Sequence, residues 1–178
     1  MEYGDRVNSN TSDKAGQGTY AGDQSRGAVE IAERCIVKMR SNDRVSAGLG
    51  IAIESSGPGR IVLSMTVTEA MLNAYDICHG GYIFTLADTA FAYASSTRNN
   101  VAVALNCHID YVRPAKQGDR LYAHSEVTYA GKTTGVTLVR VIDQEGRQIA
   151  ELHGRYYNLG QELLNENETG GGVHGEPG

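Results

Sequence analysis

The stretch Gly80–Ser95, GGYIFTLADTAFAYAS, constrains this chain more than any other. Ile83, Phe84, Leu86, Ala87, Ala90, Phe91, Ala92, Tyr93 and Ala94 leave almost no polar face. A helix that is apolar nearly all round must be buried on most sides. It falls short of the roughly 18 apolar residues that a membrane span needs. A curved antiparallel sheet wrapped around one central helix meets the demand. A single sheet covers only one side of that helix, so self-association is expected as well.

The flanking periodicities agree. Ala28, Val29, Ile31, Ala32, Cys35, Ile36 and Met39 recur at helical spacing, which predicts an amphipathic helix over 28–40. Gly48–Glu54 reads as a strand, followed by the turn signal Ser-Ser-Gly-Pro-Gly. In 61–68 the odd positions Ile61, Leu63, Met65 and Val67 are all apolar, the alternation of a half-buried strand. Four further strands are predicted at 101–112, 120–129, 134–143 and 148–157, with hairpin-sized breaks at Pro114 to Asp119, Gly131-Lys132 and Glu145-Gly146. Strands segregated from so few helices give an α+β antiparallel fold, not a doubly wound one.

Composition marks the ends of the domain. Residues 1–27 and 161–178 each hold five of the 22 glycines and have few apolar residues. Such segments cannot bury enough apolar surface to offset the entropy of ordering, so both are expected to be disordered tails around a domain at 28–160. The first carries four acids and three bases, and the second four acids and no base. Of the chain's 21 acids and 16 bases, 13 of each remain for the domain, so the net charge of −5 lives in the tails. That balance offers no electrostatic footprint for nucleic acid. Cys35, Cys78 and Cys107 are odd in number and far apart, which argues for free thiols in a reducing compartment. The beginning MEYGDRVNSN lacks the apolar core of a signal peptide, and a cytoplasmic protein is expected.

Two features of the central helix carry chemistry. Cys78-His79-Gly80-Gly81 stands at its start, where the first amides lack intrahelical acceptors and the dipole favours an anionic oxygen. The same glycines also serve a simple tight entry turn. Asp88 is the only carboxylate between Gly80 and Ser95. Among Leu86, Ala87, Ala90 and Phe91 it is either a desolvated base with a raised pKa or a residue on the one wet strip of the helix. Eight residues separate Asp88 from Gly80, a rise of roughly 12 Å. A base and an oxyanion donor acting on one carbonyl must each come within about 3 Å of it. Two copies of the chain with antiparallel central helices satisfy that geometry and form two composite sites.

The runs MLNAYDICHGGYIFTLADTAFAYASS and HIDYVRPAKQGDRLYAHSEVTYAGKTTGV resemble the hotdog-fold acyl-CoA thioesterases, closest to the phenylacetate-degradation subfamily. The resemblance runs from about Met39 to Tyr157. It implies Asp88 as the catalytic carboxylate and the Gly80 amide as the donor to the thioester oxygen. It further implies Asn73, His79 and Gly81 in the binding site, and Asn42 of RSND. It implies sites at a dimer interface, commonly in a tetramer, an acyl-CoA substrate, and no metal or cofactor beyond the coenzyme A of the substrate itself. Substrates such as phenylacetyl-CoA or a hydroxylated aryl-acetyl-CoA fit that subfamily. Two alternatives stay open: a hydratase on the same fold, and an acyl-CoA-binding module without catalysis.

Other constellations are weaker. Adjacent residues such as Cys78 and His79 do not point at each other, as a thiol nucleophile and its base must. His108 and Asp110 share a strand face, where a surface hydrogen-bonded pair is expected rather than a metal site with His79. Asn106 lies on that face and is a candidate for the rim of the cleft. Arg113 and Lys116 flank Pro114 and are candidate partners for coenzyme A phosphates.

Overall fold

The computed structural model describes residues 25–165. Helix α1 spans Arg26–Asn42, with Ser25 accepting from the Ala28 amide at its start. A short helix α2, Arg44–Gly48, follows directly. Strands β1 (Ala52–Gly57) and β2 (Arg60–Thr66) then form a hairpin, and a 3-10 turn at Glu69–Met71 leads toward helix α3, Gly80–Ser96. Strands β3 (Ala102–Tyr111), β4 (Arg120–Ala130), β5 (Thr134–Ile142) and β6 (Gln148–Asn158) complete the chain.

All six strands form one antiparallel sheet in the order β1-β2-β4-β5-β6-β3. Helix α3 lies on its inner face. The odd positions Ile61, Leu63 and Met65 of β2, and Val67 just beyond it, are all buried, and Ser64 is buried with them. Leu121, Ala123 and Val127 of β4 and Val139 and Val141 of β5 join them against Leu86, Ala87, Ala90 and Phe91 of the helix. Two glycines make room for aromatic rings. A Cβ at Gly154 of β6 would stand 2.5 Å from the Phe91 ring, and one at Gly135 of β5 would stand 2.1 Å from that of Tyr156. The two rings meet at 6.5 Å between centroids, within the range of favourable tilted pairs.

The expected strand at 48–54 is corrected. Asp43 caps α2 by accepting from the Ser46 amide at 2.9 Å, so 44–48 is helical and the strand begins at Ala52. The boundary expected at 160 also shifts. The Val101 amide donates to Gln161 and the Leu164 amide to Asn99, and the Leu164 side chain is buried. The rest of both expected tails lies outside the described residues. Among the described residues, no helix is long and apolar enough to cross a membrane.

On α3, Ile83, Leu86, Ala87, Ala90, Phe91 and Ala94 are buried. Gly81, Thr85, Asp88 and Ala92, spaced by three or four, are not. They form the strip of the helix that the sheet does not bury, with Asp88 at its border with β3. The helix expected to be covered on most sides is therefore uncovered along one, at Asp88.

Candidate active site

The start of α3 is set by the loop before it. Asn73 Oδ1 accepts from the Tyr75 amide at 2.9 Å and the Ile77 amide at 3.5 Å. The Asn73 amide donates in turn to the Ile77 carbonyl at 2.9 Å. This tight loop delivers His79, whose amide donates to Met71 O at 2.8 Å. His79 is the N-cap: its Nδ1 accepts from the Gly81 amide at 3.0 Å. Nδ1 must therefore be unprotonated. With Gly81 occupied in this way, the Gly80 N–H is the amide left at the positive end of the helix, and no acceptor takes it among the described residues. The Tyr111 hydroxyl donates to the Gly80 carbonyl at 3.0 Å, and a Cβ on Gly80 would lie 3.1 Å from the Tyr111 ring.

Two turns on, Asp88 is half-buried. Burial pushes its carboxyl above the ordinary aspartate value, opposed by a hydrogen bond from Cys107. The Cys107 Sγ lies 3.7 Å from Asp88 Oδ1. Asp88 opens into a cavity of about 610 Å³ whose walls include Met39, Asn42, Val45, Phe84 and Ala92. Asp43 lies there too. Burial raises its pKa, but donors on Ser46, Tyr93 and Val45 more than offset this and hold it below the ordinary value. Its charge is thus held by structural donors, whereas the Asp88 carboxylate has only the Cys107 thiol as a donor among the described residues.

A second cavity of about 470 Å³ lies at the other end of the helix and holds Asn73, Cys78, Gly80, Tyr111 and Arg113. The structure thus sorts the six candidate residues into two groups. Asp88 and Asn42 line one hollow, and Asn73 and Gly80 line the other, beside His79 and Gly81.

Of the remaining candidates, Cys78 and Arg113 line the second hollow, and the others separate from both groups. The register of β3 against β6 pairs Cys107 with Gly154 and Ile109 with Leu152, so Cys107 and Ile109 face α3. Asn106, His108 and Asp110 consequently face outward. Asn106 is exposed and does not border either hollow. His108 and Asp110 bond to each other at 3.2 Å. No metal-holding group of three or more His, Cys, Asp or Glu occurs among the described residues. Cys78 is buried, its thiol pushed up to about 11 by that burial, which suits a core residue and not a nucleophile. Arg113 donates to the Gln148 carbonyl at 2.9 Å, and Lys116 is exposed. Cys107 and Tyr111 are the site neighbours missed in the sequence. Local alternation sets them on the face opposite His108 and Asp110, but which face turns toward α3 is decided by the pairing of β3 with β6.

Known proteins resemble this chain in sequence and fold. The family model described as the thioesterase superfamily matches residues 75–150. The chain is 42% identical over 128 residues to the acyl-coenzyme A thioesterase PaaI of Escherichia coli (strain K12), covering 72% of this chain and 91% of that protein. The structure of the PaaI protein from the phenylacetic acid degradation operon of E. coli superimposes with a TM-score of 0.75 at 40% identity. That match covers 76% of this chain and 98% of the other. A hypothetical thioesterase of Streptococcus pneumoniae, solved with coenzyme A, gives 0.61 at 31% identity over 63% and 90%. The sheet curved about α3 is the hotdog fold. The chain belongs to the thioesterase superfamily, and its likeness to acyl-coenzyme A thioesterases makes it a thioester hydrolase.

Proposed function

We propose that this protein hydrolyses acyl-CoA thioesters, aryl-acetyl-CoA among them, to a free acid and coenzyme A, at two sites shared between subunits. The observation that carries the reading is the division of labour on α3. A half-buried carboxylate and an unaccepted helix-start amide stand on one helix, too far apart to serve one carbonyl. The uncovered strip that includes Asp88 and the free edge of β3 indicate how a second copy completes each site. Val103 and Leu105 of that strand, and Val112 beyond it, are exposed apolar residues on an unpaired edge. Such an edge is a template for pairing, and two-fold pairing of β3 with its copy runs the two α3 helices antiparallel. The Gly80 amide of one subunit then faces Asp88 of the other. A dimer is the smallest active unit, and a pair of dimers preserves both sites.

The steps follow from the groups present. The thioester carbonyl oxygen accepts from the Gly80 N–H, which stabilises the charge that develops as the carbonyl is attacked, by about 3 kcal/mol. Asp88, ionised, takes a proton from a water as that water adds to the carbonyl carbon. The tetrahedral intermediate expels coenzyme A sulfur, and the proton on Asp88 returns to the thiolate. Direct attack by Asp88 would instead form a mixed anhydride. Hydrolysis in labelled water under single-turnover conditions separates the two, since label in the Asp88 carboxyl marks direct attack. No step calls on a metal or cofactor. The apolar walls at Met39, Val45 and Phe84 favour a bulky acyl group, and the likeness to PaaI from the phenylacetic acid degradation operon favours an aryl-acetyl one. A cytoplasmic location is in keeping with a coenzyme A thioester substrate.

The test is a panel of aliphatic and aromatic CoA thioesters, followed by thiol release. Release that is fastest with aryl-acetyl-CoA supports the reading. Hydration of an enoyl thioester without thiol release would make it a hydratase. Tight acyl-CoA binding without turnover would make it a binding module.

A further inference from the structure

We propose that Cys107 is a positioning residue for Asp88: its thiol donates to Oδ1 and leaves Oδ2 as the oxygen that meets water. The inference rests on the reading of Asp88 as the base. Its geometry comes from the sheet. The pleat of β3 turns Cys107 inward, opposite Gly154, whose missing side chain leaves the neighbouring space to Phe91. From there Sγ reaches Oδ1 at 3.7 Å, within range for a sulfur donor. Among the described residues, Oδ2 has no protein donor.

The direction of the proton follows from the surroundings. Burial, with the Asp88 charge adding to it, pushes the Cys107 thiol up to about 11. Near neutral pH the sulfur therefore keeps its hydrogen and donates it to the ionised carboxylate, which has none to give. The groups facing Asp88 from every other side have other partners or carry no charge. From the α1–α2 junction come Asn42, which is neutral, and Asp43, saturated by Ser46 and Tyr93. Arg40 donates to the Ile51 carbonyl. On α3 itself, the Thr85 and Thr89 hydroxyls donate to carbonyls one turn back. Cys107 is the one side chain that donates to the Asp88 carboxylate among the described residues. A weak donor suits the task, because it orients the base while withdrawing little basicity.

The experiment combines Raman spectroscopy of the S–H stretch with kcat/KM against pH on the full-length protein, using phenylacetyl-CoA. The difference between wild type and Cys107→Ala isolates the Cys107 band from those of Cys35 and Cys78. That band is expected at the frequency of a hydrogen-bonded thiol and is expected to shift in Asp88→Asn. Cys107→Ala leaves burial unopposed, so the acid limb of kcat/KM moves to higher pH and the rate falls roughly tenfold. Cys107→Ser, which restores a donor, brings both back toward wild type. A Cys107 band at the free-thiol frequency overturns the proposal, as does an acid limb unmoved by Cys107→Ala while Asp88→Asn is inactive. An active Asp88→Asn enzyme overturns the base reading itself, and this proposal with it.

Discussion

Asp88 and Gly80 stand two turns apart on α3, roughly 12 Å along its axis, and line separate hollows. The carboxylate has lost part of its water, and the amide has no acceptor within the described chain. Within one subunit the two groups cannot both come within about 3 Å of one carbonyl.

Loss of the base costs more than loss of the loop that shapes the opposite hollow. Asp88→Ala is expected to lower kcat at least ~100-fold, the scale of general-base catalysis. Asn73→Ala removes the acceptor for the Tyr75 and Ile77 amides and loosens the approach to Gly80. Its loss is expected to be smaller and to show in KM. Steady-state kinetics on one aryl-acetyl-CoA checks both, and equal losses in kcat would contradict the roles assigned.

The raised pKa of Asp88 links activity to stability. Burial makes the folded chain hold this proton more tightly than the unfolded chain does. The folded state therefore carries a cost for ionised Asp88 that is absent below the unfolded value of about 3.9 and fully present above the folded one. Asp88→Asn is expected to raise Tm near neutral pH while abolishing turnover, with the gain shrinking as pH falls toward about 4. In wild type, the acid limb of kcat/KM should lie above the ordinary aspartate range. Melting curves across pH, paired with the rate profile, test both.

His79 acts as a cap more than as a reagent. His79→Ala frees the Gly81 amide and is expected to cost about 1 kcal/mol of stability, the scale of a lost N-cap. His79→Asn, which can accept the same bond, should recover most of it. Denaturant unfolding of the three proteins measures this, and an unchanged midpoint in His79→Ala would remove the cap from the account.

Gly154 is held by packing. Any Cβ there meets the Phe91 ring at 2.5 Å, and buried overpacking costs about 1–3 kcal/mol. Gly154→Val is expected to lower the unfolding midpoint accordingly, with partial recovery in combination with Phe91→Leu.

Much of this was legible in the residues. The polar-poor run around Asp88 demanded a wrapped helix, and the odd-position apolar residues of β2 gave its face directly. Three things were not legible. Asp43 and Ser46 build a cap whose effect depends on Tyr93, fifty residues away, so α2 was hidden behind a strand-like pattern. Leu164 looks like part of a polar tail until Asn99 takes its amide. Cys107 touches Asp88 because of the β3–β6 register, and a bulge between Ala104 and Asn106 shifts that register in a way local alternation cannot foretell.

The central claim is that one active site takes its carboxylate and its amide from different chains, and mixing of inactive variants tests it most directly. Gly80→Pro deletes the amide at a first helical position, where proline is tolerated, with the exposed Tyr111 ring giving way. It should lose about 100-fold or more in kcat. Asp88→Asn is inactive for its own reason. Co-refolded in equal amounts, half the dimers are mixed and each holds one intact site, so activity should recover to roughly a quarter of wild type. Recovery no greater than the sum of the two parents would contradict the shared site.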